Sequence, residues 1–230
     1  AALGAASSIM YGTFASYALV VVPLFTWMGY IGYHSGISEH LYDAAYKLVG
    51  RLKGGLAMAT TIACAAFGAI CGSTTATSAT FAALSASSIA TATTMGLVSI
   101  PEMKRLKYDP ALATGSVAAG GTMGVLIPPS GALIFYGILT ETSIGKLFAA
   151  GIIPGILEAI FYILVIVIIC WIKPSYGPPS TKASFRARMK AVTSCGEMVV
   201  LIVFVLAGLV LGWFTPTEAG ALGAVGALVL

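Results

Sequence analysis

Charge is what this sequence has least of. Only 9% of its 230 residues are Asp, Glu, Lys or Arg, against 58% hydrophobic, and the mean hydropathy is +0.97; a soluble domain carries roughly 25% charged residues. The few charges are also segregated. None falls between Lys53 and Glu102, from Pro110 to Thr140, or from Leu147 up to Glu158. A membrane span needs about 20 mostly apolar residues, so these blanks are long enough to cross a bilayer or to enter it and return. Cysteine is scarce too. Cys64, Cys71, Cys170 and Cys195 form no CxxC pair, which argues against a disulfide framework or a zinc site and reads as small apolar packing. The catalytic patterns HExxH and GxSxG with a distant histidine are missing, as is an intramembrane carboxylate pair, so no enzyme is expected. His34 and His40 sit beside Ser and Glu and read as solvated. The apolar segments are too long and numerous for a cleavable leader. A net charge of +4 reads as membrane orientation, because the basic residues occupy short loops and form no basic face for nucleic acid.

What is present is an ordered series of apolar segments. The first runs from about Thr13 to Tyr33, with Trp27, Tyr30 and Tyr33 towards one end as an interfacial belt. From Ile37 to Lys53, Leu41, Ala44, Ala45, Leu48 and Leu52 recur at helical spacing while Glu39, Asp43, Lys47 and Arg51 fill other positions. This pattern predicts an amphipathic helix over 37–53 lying on the membrane surface. Lys and Arg cluster in three places: Lys47, Arg51 and Lys53; Lys104, Arg105 and Lys107; and five between Lys173 and Lys190. Lys146 stands alone. The positive-inside rule puts the three clusters in the cytoplasm and Lys146 outside. Spans at 13–33, 111–139, 147–172 and 196–214 then alternate without conflict, and residues 54–100 must begin and end on the cytoplasmic side.

Within 54–100 the composition favours a re-entrant helical hairpin over two full spans. Twelve of the 22 residues from Ser73 to Thr94 are Ser or Thr, too polar to face lipid but suited to a protein-enclosed site. The stretch also repeats with a period of 14: Phe67 to Thr80 is followed by Phe81 to Thr94, with Phe67 matching Phe81, Ser73 matching Ser87 and Thr77 matching Thr91. Two readings stay open. The hydroxyls bond back to carbonyls one turn earlier and serve helix packing, or the polar run breaks its helix and offers uncharged oxygens to a cation such as sodium.

A second polar constellation lies in the next apolar segment, Gly120-Gly121-Thr122-Met123-Gly124-Val125-Leu126-Ile127-Pro128-Pro129-Ser130-Gly131. Two prolines remove two amide donors and the glycines admit non-helical dihedrals, so a discontinuous helix is expected over 111–139. Unwound backbone is tolerated at membrane depth only where it lines an enclosed cavity. Its carbonyls and Ser130 would complete an ion site with the hairpin, while half-helix N-termini face a substrate carboxylate.

At these residues the chain resembles the large membrane (M) subunit of tripartite ATP-independent periplasmic (TRAP) transporters of the C4-dicarboxylate type. The matching stretches begin at Gly50 (GRLKGGLA), Phe67 (FGAICGS), Ile100 (IPEMKR), Ala118 (AAGGTMGVLIPPS), Tyr136 (YGILTETSIGKLFAAGIIPG) and Phe214 (FTPTEA). The resemblance implies an elevator-type, multi-pass carrier in the bacterial inner membrane, all-α, built from two inverted repeats of which this chain is the N-terminal half. It implies sodium-coupled uptake of an organic acid, with no cofactor beyond that coupling ion. The implied partners are a small membrane subunit and a periplasmic substrate-binding protein. One sodium would lie between the hairpin tip, Ser73 and Thr74 or Ser87 and Ser88, and Gly121, Gly124 and Ser130 of the broken helix. The family pattern has one hairpin motif in this half, so the duplication leaves both copies in play; the lean is to Ser87 and Ser88, which lead directly into Met95-Gly96. Residues 1–230 are expected to form a single transmembrane domain truncated at both ends, unable to transport alone. The competing expectation is a non-transporting scaffold or assembly subunit whose hydroxyls only pack. Glu158, deep in its segment with no partner evident, reads as a proton or subunit contact or as a bundle-facing carboxylate bonded to a neighbour.

Overall fold

The computed structural model describes residues 20–35, 37–71, 86–179 and 184–229, and among these every regular element is a helix. In chain order they are α1 (Val21–His34), α2 (Ile37–Val49), α3 (Gly55–Cys71), α4 (Ala86–Arg105) and α5 (Pro110–Leu126). They continue with α6 (Gly131–Leu139), α7 (Ile144–Ile172), α8 (Phe185–Ser194), α9 (Gly196–Val210) and α10 (Pro216–Val229). Among the described residues two segments are long and apolar enough to cross a membrane: Pro110–Leu139, taken across the gap between α5 and α6, and Ile144–Ile172. The bent pair Arg186–Ser194 and Val199–Val210 makes a third if it is one span. At 29 residues α7 is about 43 Å long, and its outward face carries Ile153, Ile156, Ile160, Phe161 and Leu164, all exposed. The described parts of the other expected spans are shorter. α9 has 15 residues, about 22 Å, against a hydrocarbon core of about 30 Å.

The three basic loops meet at one end of the bundle. The amide of Gly54 donates to the carbonyl of Gly177 (2.8 Å), and that of Asp109 to the carbonyl of Tyr176 (3.0 Å). The amide of Leu56 donates to the Tyr108 hydroxyl (3.1 Å). That last bond caps α3, whose first-turn amides have no partner inside the helix. Burial pushes the Tyr108 phenol up to about 12, more than the Leu56 bond lowers it. Leu56, Met58, Met103, Leu112, Ile166 and Cys170 form the apolar core beneath these loops. A close approach locks them: a Cβ on Gly177 would lie 2.7 Å from the Gly54 Cα. Lys146 belongs to the opposite end, where the turn at Thr142–Ser143 and Pro216 line one surface cleft. α3 therefore leaves the basic end and α4 returns to it, joined through residues 72–85, which fall outside the described set.

α2 forms with Leu41, Ala44 and Ala45 buried, while Leu48 and Leu52 are exposed; it ends at Val49. Its inner face packs on α3 and on α8. α8 was not expected: the sequence reading treats Lys173 to Lys190 as a loop, yet Phe185–Ser194 is helical, capped by Ser184 accepting from the Ala187 amide at 3.2 Å. The reason is local. Arg186 and Lys190, one turn apart and exposed, leave the opposite side of the helix, with Ala191 and Cys195, to bury in the main core beside α2. Arg188 lies on that buried side with its Nε enclosed, so a charge count alone hides the helix. At the far end of the chain, Gly220 and Gly223 of α10 seat Leu24, Phe25 and Met28 of α1, and Phe25 meets Phe148 of α7 edge to face with ring centroids 6.1 Å apart.

Candidate functional site at a helix break

The break between α5 and α6 follows from its sequence. Asp109 caps α5, accepting from the amides of Ala111 (2.9 Å) and Leu112 (3.4 Å), with Pro110 at the favoured first position. The helix then runs until the prolines. Pro128 pushes the residue before it out of the helical region, and Ile127 is extended (φ −76°, ψ 121°), its amide giving the last bond to the Met123 carbonyl. The Pro128–Pro129 peptide is cis. Ser130, also extended and fully buried, restarts the helix as the α6 cap. Its hydroxyl donates to the Val125 carbonyl (2.6 Å) and accepts a long bond from the Leu133 amide (3.5 Å). One side chain thus spans the gap and satisfies a carbonyl that α5 leaves open.

Glycine brings two other helices onto this break. A Cβ on Gly68 of α3 would lie 3.0 Å from the Gly124 Cα, and one on Gly120 would lie 2.6 Å from the Cys64 sulfur. α3 and α5 therefore cross in near backbone contact through a small-residue seam. On the other side α7 presents Gly151, whose added Cβ would meet the Leu126 carbonyl oxygen at 2.6 Å, and Gly155, 2.7 Å from Ile127 Cγ1. α4 lies antiparallel along α5, with Gly96 against Val117. Eight residues back from Gly96 is Ser88 and eight on from Val117 is Val125, so the helical register sets the backbone of Ser88 level with the end of α5.

Of the expected ion ligands, Gly121, Gly124 and Ser130 are buried together at the break. Ser87 and Ser88 lie in the first turn of α4, while Ser73 and Thr74 are outside the described residues. Four buried hydroxyls on the surrounding helices bond back along their own helix: Thr60 to Leu56, Thr61 to Ala57, Ser99 to Met95 and Ser116 to Ala113, at 3.0, 3.2, 2.6 and 3.0 Å.

A feature that sequence reasoning missed is the partner of Glu158. Thr122 on α5 and Tyr162 on α7 both place their hydroxyls 2.9 Å from Glu158 Oε1 and 2.9 Å from each other, while Glu158 Oε2 is buried without a partner. The spacing of Glu158 and Tyr162, one helical turn, was a visible signal; Thr122, 36 residues away, was not. The same holds for Gly151 and Gly155, whose i, i+4 spacing announces a close contact without naming what it meets.

The family described as the tripartite ATP-independent periplasmic transporter, DctM component, matches residues 2–84 and 74–230. The chain belongs to this family. The two matched stretches overlap at residues 74–84, inside the 14-residue repeat, so part of the repeat fits the family pattern from both directions. The chain is 37% identical to the C4-dicarboxylate TRAP transporter large permease protein DctM of Pseudomonas aeruginosa, over 94% of this chain and 47% of that protein. It is 33% identical to the sialic acid TRAP transporter large permease protein SiaM of Vibrio cholerae, over 98% and 49%. It is 31% identical to the ectoine TRAP transporter large permease protein TeaC of Halomonas elongata, over 89% and 44%. The chain spans about half the length of these relatives. They are transport proteins, so a transporter membrane component and no enzyme is the activity class of the family.

Proposed function

We propose that this chain is part of a sodium-coupled carrier for an organic acid, loaded by a periplasmic binding protein and assembled with a small membrane subunit in the bacterial inner membrane. In this reading 54–100 is a re-entrant hairpin, and the chain supplies one of two inverted repeats whose site moves in an elevator-type step. The observation that carries it is the buried break at 127–130, pressed between the glycine seam of α3 and the glycines of α7. α5 ends there, so its C-terminal carbonyls put partial negative charge beside Gly124, where a cation is stabilised; α6 begins there, so its N-terminus favours a carboxylate. Sodium would be shared by this backbone, Ser130 and the hydroxyls of Ser87 and Ser88, with Ser73 and Thr74 as the other copy. Relatives named for a C4-dicarboxylate, sialic acid and ectoine support a common ion site beneath variable substrate selection.

The scaffold reading rests on the four buried hydroxyls that bond back to their own helices, the behaviour expected of packing. The experiment that separates the two is sodium titration of uptake by the intact transporter. Replacing Ser87 and Ser88 by Ala, or Ser130 by Ala, is expected to raise the sodium concentration for half-maximal uptake without affecting membrane insertion, and the same change at Ser73 and Thr74 to do less. Unchanged sodium dependence in all three variants places the ion elsewhere and leaves the hydroxyls as packing.

A further inference from the structure

Between α5 and α7 lies a groove that the ion site does not use. Ala111, Gly115 and Ala119 form one wall, Ile166 and Ile169 of α7 the other, Thr61 of α3 also lines it, Tyr176 closes the basic end, and the volume is about 310 Å³. The groove is a wedge. At its inner end α5 and α7 are held together by Thr122, Glu158 and Tyr162, and towards the basic end they part. Ala111 to Ala119 is about 12 Å of helix. A single hydrocarbon chain, with a carbon contact distance of about 4 Å, can lie along it. Nothing lies within 4 Å of a Cβ built on Gly115, so the space there is real.

The mouth is polar, with an ammonium beside Tyr176. Lys173 donates to the Tyr176 hydroxyl (3.3 Å) and its ammonium sits 5.0 Å from the centre of the Tyr176 ring; one of its three donors is used, two remain. The nearby acid, Asp109, is turned onto the first amides of α5. Trp171, 80% exposed on the last turn of α7, marks the level of the headgroups.

We propose that this groove binds one acyl chain of an anionic glycerophospholipid, with the phosphate held by Lys173 at the mouth. The inference rests on α5 and α7 lying in the membrane and is independent of where sodium binds. It is tested by native mass spectrometry of the delipidated, intact subunit titrated with dioleoyl phosphatidylglycerol or dioleoyl phosphatidylcholine. The expected result is one tightly held phosphatidylglycerol, bound at least ten-fold more tightly than phosphatidylcholine. Gly115→Leu fills the groove and abolishes the tight site, whereas Gly115→Ala retains it. Ala111→Leu, a change at the exposed mouth that leaves the helix contacts intact, weakens it by about ten-fold. Lys173→Gln keeps one lipid but loses the preference for the anionic head. The proposal is overturned if wild type shows no headgroup preference or if the filled-groove variants hold the lipid as tightly as wild type. A cysteine at position 115 crosslinking to another helix in native membranes also overturns it, since the groove would then hold protein.

Discussion

Replacing Gly151 by Ala tests whether the break is as tightly held as its geometry indicates. The added Cβ would lie 2.6 Å from the Leu126 carbonyl oxygen and 3.1 Å from Leu133 Cδ1. Carbon to oxygen contacts settle at about 3.3 Å or more, so about 0.7 Å must be found. The oxygen cannot yield alone: Leu126 is the last residue of α5, and the next residue, Ile127, packs on Gly155 one turn further along α7. α5 and α7 must separate, with an overpacking cost of about 1–3 kcal/mol. Ala also gains up to about 1 kcal/mol over Gly in a helix interior, which masks part of the cost. Gly115→Ala on the facing helix carries the same intrinsic gain with nothing to strike. The difference between the two variants therefore isolates the clash, and Gly151→Ala should be less stable than Gly115→Ala by about 1–3 kcal/mol. Unfolding of the purified subunit in mixed micelles, followed by circular dichroism, measures it. Equal stability of the two variants would refute the close contact at the break.

Three further outcomes follow from individual contacts. Tyr108→Phe leaves the Leu56 amide buried without an acceptor and should cost about 1–3 kcal/mol. Because the folded-state phenol is raised to about 12 from about 10, its stabilisation is complete below pH 10 and lost as pH rises towards 12, a decline in alkaline stability that the Phe variant should lack. Thr122→Val and Glu158→Gln touch one network, so the double variant should depart from additivity by about 0.5–3 kcal/mol; strict additivity in the same unfolding assay would dissolve the network. Glu218 closes a capping box on α10 by accepting from the Thr215 amide (2.8 Å) and hydroxyl (2.9 Å), and these bonds hold its carboxyl below the usual range. Its contribution is present above about pH 4.3 and lost as pH falls further, so Glu218→Gln should flatten the acid limb of a stability profile.

What could be read in advance depended on whether the signal was local. Pro128-Pro129 carries its own consequence wherever it is placed, and α5 does end at Leu126. The 3.6-residue period of Leu41, Ala44 and Ala45 likewise foretold α2 and its buried face. The glycines at 120 and 124 declared that something approaches closely, but not that Cys64 and Gly68 do, because a small residue advertises space and not its occupant. Contacts between distant segments stayed hidden for the same reason: Tyr108 gives no sign in sequence that its hydroxyl caps α3. Charge counting misled once, at Arg186, Arg188 and Lys190, where a basic run taken as loop is helical: Arg186 and Lys190 share the exposed face of α8 and Arg188 lies on the other.

The arrangement around 127–130 also answers why a broken span is tolerable in a bilayer at all. An interrupted helix exposes carbonyls from its first half and amides from its second, and in hydrocarbon each unsatisfied group costs several kcal/mol. Here the loss is limited by three separate means. The prolines have no amide to satisfy, the Ser130 hydroxyl takes the Val125 carbonyl and offers an acceptor to the Leu133 amide, and the glycines of α3 and α7 bring protein close enough to exclude lipid. What remains is a polar backbone enclosed by small side chains. The same three means oppose bending within 127–130, which would break the Ser130 bridge first.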